Sequence, residues 1–423
     1  MEMERTLVVT AFVHSGDRIA LVKRSGSVGS YSGRWAAFSG YVEDIPLRQA
    51  MIELLKEAGL SPGDVTLRGM GIPMPVDDAE GGCRWLVFPF LFKLAGGKEI
   101  KTDWEAESLE WFHPEDLGEL NTVPGLREAL QKIWPPFGSN DFWDGLREVA
   151  LDEDHGSTEL ARQGLRALGS FVQKEYDNLQ NQDLVRSVRA FASARPVMGV
   201  FPNLAARLLL AIESGSGLFN FDALVTELMN AMEDASDISS GMAADAISDR
   251  RTVVTLSYSE SVLNSLVKWS GNGRHAIVAE SLPGGEGRQF AEALINKGVS
   301  AEVVADADAP LAVKEADAVL VGCDGITGAG QIINKSGTAG LITSANDAGV
   351  PAYAVAQTFK ICPSNWPVFL EVRKDSGGIT RRIFDITPIE RFTAIYTEEG
   401  SLLTRRLAEI RRELESVPLI NGA

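Results

Sequence analysis

Residues 320–338 read LVGCDGITGAGQIINKSGT. The apolar run Ala318–Val321 leads to a carboxylate, Asp324, then a glycine loop, then Asn334-Lys335. The small-residue segment Thr338–Ala348 follows with helical character. A buried strand that hands over to a polar, glycine-rich loop and a helix is the repeating unit of a doubly wound sheet. Working outward, Thr252–Leu256, His275–Ala279, Ala301–Ala305 and Ala352–Ala356 are further short buried runs. Ser261–Trp269, Gly287–Lys297 and Ala312–Ala316 fall between them with helical spacing. The alternation predicts a doubly wound, Rossmann-like parallel sheet with its ligand crevice at the carboxyl ends of the strands.

The other strand ends carry matching chemistry. Residues 252–263 read TVVTLSYSESVL, so Ser257, Ser259 and Ser261 place hydroxyls and amides at a helix start, where anions settle. Residues 279–291 read AESLPGGEGRQFA, with a glycine turn and Arg288 in the first helical turn. Residues 354–360 read AVAQTFK, a strand that ends on Lys360. One such segment is ordinary turn chemistry. Four in order converge an acid, two lysines, an arginine and free amides on one crevice, and a small phosphorylated ligand is the simplest guest.

The chain has 423 residues, 40 Lys+Arg against 58 Asp+Glu, and a formal net charge of −18. An acidic surface gains no general attraction to phosphate backbones, so direct nucleic-acid binding is not expected. Apolar runs such as Trp85–Phe92 fall far short of a membrane span, and the N-terminus lacks the pattern of a signal peptide. Three widely spaced cysteines, Cys83, Cys323 and Cys362, suit a reducing cytoplasm and offer neither a disulfide framework nor zinc spacing.

The pattern divides the chain. Residues 1–134 read as α+β, with a hairpin signal at Ser15-Gly16-Asp17 and a helix over Leu47–Ala58 closed by Gly59. Residues 135–144, opening Pro135-Pro136-Phe137-Gly138, read as a linker. Residues 145–248 read as a helical bundle, with Ser214–Gly217 and Ser239–Gly241 separating its helices. Residues 249–423 are the Rossmann-like domain. The expected fold is thus an α/β multidomain chain.

Residues 33–60, GRWAAFSGYVEDIPLRQAMIELLKEAGL, resemble the Nudix box. In that motif a helix gathers carboxylates around a divalent metal that neutralises a diphosphate and activates water. The resemblance implies Mg²⁺ held by Glu53 and Glu57, four apart on one helix face. Lys56 stands at the middle glutamate position and Ile52 at the arginine position, and the spacing from Gly40 to Gly59 is two residues short. An ammonium at a ligand position repels the metal, so a degenerate Nudix module is expected.

Residues 145–415 resemble the superfamily of translation initiation factor 2B alpha, beta and delta subunits, methylthioribose-1-phosphate isomerases and ribose-1,5-bisphosphate isomerases. The string VG-x-D/E-G-I…G…NK-x-GT carries that resemblance, supported by HGSTELARQGLRAL at 155–168 and SARPVMGVFPNLA at 193–205. It implies phosphosugar contacts at Gly156, Ser157, Arg195, Asn334, Lys335 and Lys360, and a catalytic acid at Asp324. The isomerases place a catalytic cysteine after the first strand, where this chain has Ser257. A serine hydroxyl needs a dedicated base that a tuned thiol does not. The first expectation is therefore a protein that binds a phosphorylated sugar or nucleotide between helical and Rossmann-like domains. The alternatives are an aldose-1-phosphate to ketose-1-phosphate isomerase using Asp324 and Ser257, and a Nudix hydrolase of nucleoside diphosphate derivatives. Homo-oligomerisation near Ile379–Glu390 and the C-terminal helix Leu402–Leu414 is implied; guanine-nucleotide exchange is not.

Overall fold

The computed structural model describes residues 5–78, 82–214, 220–374 and 377–415. The N-terminal part is a mixed α+β domain. Strand Thr6–Ser15 lies at the middle of an eight-stranded sheet, antiparallel to Arg18–Arg24 and parallel to Cys83–Leu94. Helix Pro46–Ala58 packs on it through Leu47, Ala50 and Leu54, and ends on Gly59 in the left-handed conformation that glycine adopts without strain.

The expected linker, residues 135–144, packs against its neighbours on both sides. Ile133, just ahead of it, is buried in the N-terminal core, while the Phe137 ring meets Trp143 and Phe171 edge-on and Phe142 at a tilt. Arg186 lies 4.4 Å over the Phe137 ring and donates to the carbonyl of Ile133 at 3.0 Å. Helix Asn140–Leu151 starts inside that stretch.

Helices Ser157–Glu175, Asn181–Ala194, Val200–Glu213 and Phe221–Ala246 form the helical segment. Ser239–Gly241, expected to break the chain, lies inside the last of these. The reason is local: Ser239 and Ser240 satisfy their hydroxyls on the carbonyl of Ser236 one turn back, at 3.2 and 2.6 Å. Ser239 also accepts from Gln357 at 3.1 Å, so these serines fasten the helix to the next domain. Of the other expected break, residues 215–217 lie outside the described residues.

The C-terminal part is the expected doubly wound sheet. Its strands lie in the order Ala301–Val304, His275–Ala279, Thr252–Leu256, Ala318–Val321, Ala352–Val355 and Ala394–Thr397, all parallel, with short Gly400–Ser401 antiparallel at the edge. The chain runs outward from Thr252–Leu256, then returns to pair Ala318–Val321 on its other side. The direction of winding reverses between those two strands, and that is where such sheets open a crevice. A second small sheet departs from the sequence reading. Gln331–Lys335 is a strand paired with Gly325–Ile326 and with Phe384–Pro388, rather than the end of a loop. One apolar core runs from Val9 and Phe38 through Trp143 and Phe191 to Phe369 and Phe384, joining all three parts.

Candidate functional site

The crevice at the switch point opens into a cavity of about 440 Å³. Ser257 closes one strand end and Gly322–Asp324 the other, while Gly156 and Ser157 arrive from the first turn of helix Ser157–Glu175. Asn334 and Lys360 line the same space. A smaller cavity of about 90 Å³ adjoins it and shares Ser257 and Asp324, with Arg195 and Lys335 in its wall. Alternation along Gln331–Lys335 explains the division: neighbours in a strand face opposite ways, so Asn334 meets one cavity and Lys335 the other.

Eight of the nine residues expected to bind or act in this domain and the helical segment therefore line adjoining cavities. Arg288 is in neither wall. Gly285, at φ 72°, starts helix Glu286–Asn296 in a phase that turns Arg288 outward, where it pairs with Glu280 at 2.6 Å. Glu286 takes the inward position instead and forms an ion pair with Lys335.

The cations differ in their partners. Lys360 is 5% exposed, and its ammonium donates to the carbonyl of Cys323 at 2.5 Å. No carboxylate lies within ion-pair distance of it among the described residues. Arg195 is also 5% exposed and donates to the carbonyl of Val149 at 3.2 Å. Burial lowers the guanidinium pKa from its usual value, partly offset by the charge of Glu371. The Asp324 carboxylate has no hydrogen-bond or ion-pair partner among the described residues; only its backbone is engaged, with the amide of Gly199 donating to its carbonyl at 2.8 Å.

Ser257 is held in a conformation serine rarely adopts, with φ 59°. Its amide donates to Ser281 Oγ at 2.7 Å. Ser281 is itself at φ 61°, and its amide and that of Leu282 donate to the carboxylate of Asp306 at 2.7 and 2.8 Å. Strain of this kind persists where surrounding bonds over-determine it, and it concentrates at working sites. Cys323 is 2% exposed, and burial pushes its thiol up to about 12, so it is a core residue rather than a stand-in nucleophile.

Two further basic side chains line the larger cavity. His155 lies at the cavity wall with Nδ1 2.8 Å from Asp152, and that contact raises its pKa above 6.5. Lys297, after helix Glu286–Asn296, reaches the same cavity.

Whether the Nudix carboxylates suit a divalent cation turns on what already holds them. Glu53 is buried, and its Oε1 accepts from Gln49 Nε2 at 2.5 Å and from Lys56 Nζ at 3.3 Å. Glu57 Oε2 accepts from the amide of Ser39 at 3.3 Å, and burial, then Glu53 and Glu105, push its carboxyl up to about 8. Among the described residues no group of three or more His, Cys, Asp or Glu side chains is placed to hold a metal ion. One Glu53 oxygen is already taken by an amide and an ammonium, so the set falls short of the several free oxygen ligands that Mg²⁺ requires.

Residues 153–404 match the family described as the Initiation factor 2 subunit family, and residues 4–133 match the NUDIX domain. The chain is 31% identical over 269 residues to an eIF-2B subunit 2-like protein of Pyrococcus abyssi, covering 62% of this chain and 96% of that protein. It is 27% identical to a ribose 1,5-bisphosphate isomerase of Haloferax volcanii, covering 64% and 84%. The solved translation initiation factor eIF-2B of Pyrococcus horikoshii OT3 superposes with a TM-score of 0.56 at 27% identity, covering 63% of this chain and 98% of that one.

Proposed function

The chain belongs to the Initiation factor 2 subunit family, with a NUDIX domain ahead of the family region, and from that premise we propose that it binds a phosphorylated sugar or nucleotide in the crevice between its helical segment and its parallel sheet. Lys360 carries this reading. A buried ammonium with no carboxylate in ion-pair distance is costly, and an anionic guest in the cavity beside it reduces the cost. Ser157 and the other amides at the start of helix Ser157–Glu175 add a second anion-binding element. Arg195 supplies a further buried cation in the adjoining cavity, so a guest with two charged ends suits the pair.

Binding without turnover is the primary reading. Ser257 has no histidine or carboxylate within hydrogen-bond distance among the described residues to activate its hydroxyl. A second reading, aldose-1-phosphate to ketose-1-phosphate isomerisation, is favoured by one observation: the unengaged carboxylate of Asp324 in the cavity wall. Asp324 would then move the proton between the first two sugar carbons. Incubation with ribose 1,5-bisphosphate or methylthioribose 1-phosphate, read for ketose product, separates the readings. Product lost on Asp324→Asn replaces the binding reading by the isomerase one.

For the NUDIX domain we propose a binding or assembly role, supported by the amide and ammonium that occupy Glu53. Mg²⁺-dependent hydrolysis of a nucleoside diphosphate derivative, lost on Glu57→Gln, would overturn it. We propose homo-oligomerisation near Ile379–Glu390 and the C-terminal helix, in keeping with the exposure of Ile379 there. No helix among the described residues is long and apolar enough to cross a membrane. The buried thiols of Cys323 and Cys362 are consistent with a cytoplasmic setting.

A further inference from the structure

Glu153 stands directly before the cavity segment Asp154–Ser157 and itself lines the smaller cavity. Its two oxygens are divided between elements distant in sequence. Oε1 accepts from Nη2 of Arg48 at 2.5 Å, and Oε2 accepts from Nη1 of Arg373 at 2.8 Å. Arg48 lies in the first turn of helix Pro46–Ala58, in the NUDIX domain. Arg373 lies in strand Val372–Lys374, and its Nη2 also reaches Glu371 at 3.1 Å. Both Arg373 and Glu371 line the smaller cavity beside Arg195.

The strand that carries Arg373 is anchored to the same NUDIX domain. The amide of Lys374 donates to the carbonyl of Glu43 at 2.9 Å, and its ammonium meets the Glu43 carboxylate at 3.0 Å. Phe369 meets Phe88 edge to face at 5.1 Å. One wall of the ligand cavity therefore hangs on the N-terminal domain.

We infer that Arg48 is a positioning residue for the ligand cavity: by holding one oxygen of Glu153, it limits that carboxylate to a single bond with Arg373 and leaves more of the guanidinium charge to an anionic guest. The inference rests on the ligand-binding reading above, and it gives the NUDIX domain a role that needs no hydrolysis. Without Arg48, the Glu153 carboxylate turns both oxygens to Arg373, in the two-pronged geometry that guanidinium and carboxylate favour. The cavity then presents less positive charge. Removing the charge of Glu153 does the reverse, because Arg373 keeps only Glu371. These side chains are partly exposed, so the effect is modest.

The test is isothermal titration of ribose 1,5-bisphosphate into the full chain. Arg48→Met weakens binding about three- to fivefold. Arg48→Lys, which keeps a cation, retains most of the affinity. Glu153→Gln tightens binding, and adding Arg48→Met to Glu153→Gln changes nothing further, because Arg48 acts through Glu153. If Arg48→Met weakens binding as much in the Glu153→Gln background as in the wild type, or leaves wild-type affinity unaltered, the inference fails while the ligand reading stands. If the wild-type chain takes up no ribose 1,5-bisphosphate, the same series is run with AMP, and a wild-type chain that takes up neither sinks both.

Discussion

Gly199 donates its amide to the carbonyl of Asp324 at 2.8 Å, so the start of helix Val200–Glu213 is fastened to the segment that follows strand Ala318–Val321. The approach is close enough to exclude any side chain. A Cβ on Gly199 would stand 2.3 Å from the carbonyl oxygen of Lys360 and 2.9 Å from Cys362 Sγ. The same backbone junction thus fixes both the acid and the buried lysine of the cavity.

Gly199→Ala therefore forces the helical segment away from the sheet. The expected cost is about 2 kcal/mol, the scale of an overpacked core. Thermal unfolding should show a lowered midpoint, and the loss should be larger than for Gly340→Ala, where nothing stands within 4 Å of the new methyl.

Ser257 holds φ 59° with a side chain that dislikes it. Ser257→Gly relieves that strain and should stabilise the chain by about 1 kcal/mol, after the extra entropy of an unfolded glycine is counted. Chemical denaturation of the two proteins checks the sign. A destabilised glycine variant would mean that the hydroxyl, not the backbone, holds the turn.

Asp385 accepts the amides of Gly337 and Ala339 through one oxygen, at 2.9 and 3.0 Å, while its other oxygen is buried without a partner. Burial wins over those two bonds and raises its carboxyl to about 6. The folded chain thus holds this proton more tightly than the unfolded one. Its stability contribution is complete below about pH 4 and declines as pH rises through about 6. Asp385→Asn removes that titration. The variant's melting point relative to wild type should be higher at pH 8 than at pH 4, with the change centred at about pH 5, between the unfolded and folded values. A difference that stays flat across this range would contradict the placement of the carboxylate.

Much of this arrangement is legible in the residues, and the limits have physical causes. The β-branched runs Thr252–Leu256, His275–Ala279 and Ala318–Val321 carry their observed bounds in the sequence, because buried parallel strands are continuous apolar segments. Gln331–Lys335 reads as loop because its strand partners are the two-residue Gly325–Ile326 and the distant Phe384–Pro388. Arg288 and Glu286 lie two apart at a helix start, and tertiary contacts rather than local spacing tell them apart, Glu286 meeting Lys335 and Arg288 meeting Glu280. Ser239–Gly241 has the composition of a break, yet its hydroxyls bond within the helix and to the next domain. The links from Arg48 and Glu43 to distant parts of the chain leave no local pattern at all.

The most direct measurement is an equilibrium titration of the wild-type chain and of Lys360→Met with ribose 1,5-bisphosphate and with AMP. One saturable site per chain is predicted for at least one of these guests, weakened by roughly tenfold or more in the variant, as expected when a buried charged contact is removed. Unaltered affinity in Lys360→Met, or no saturable uptake of either guest by the wild type, would contradict the account.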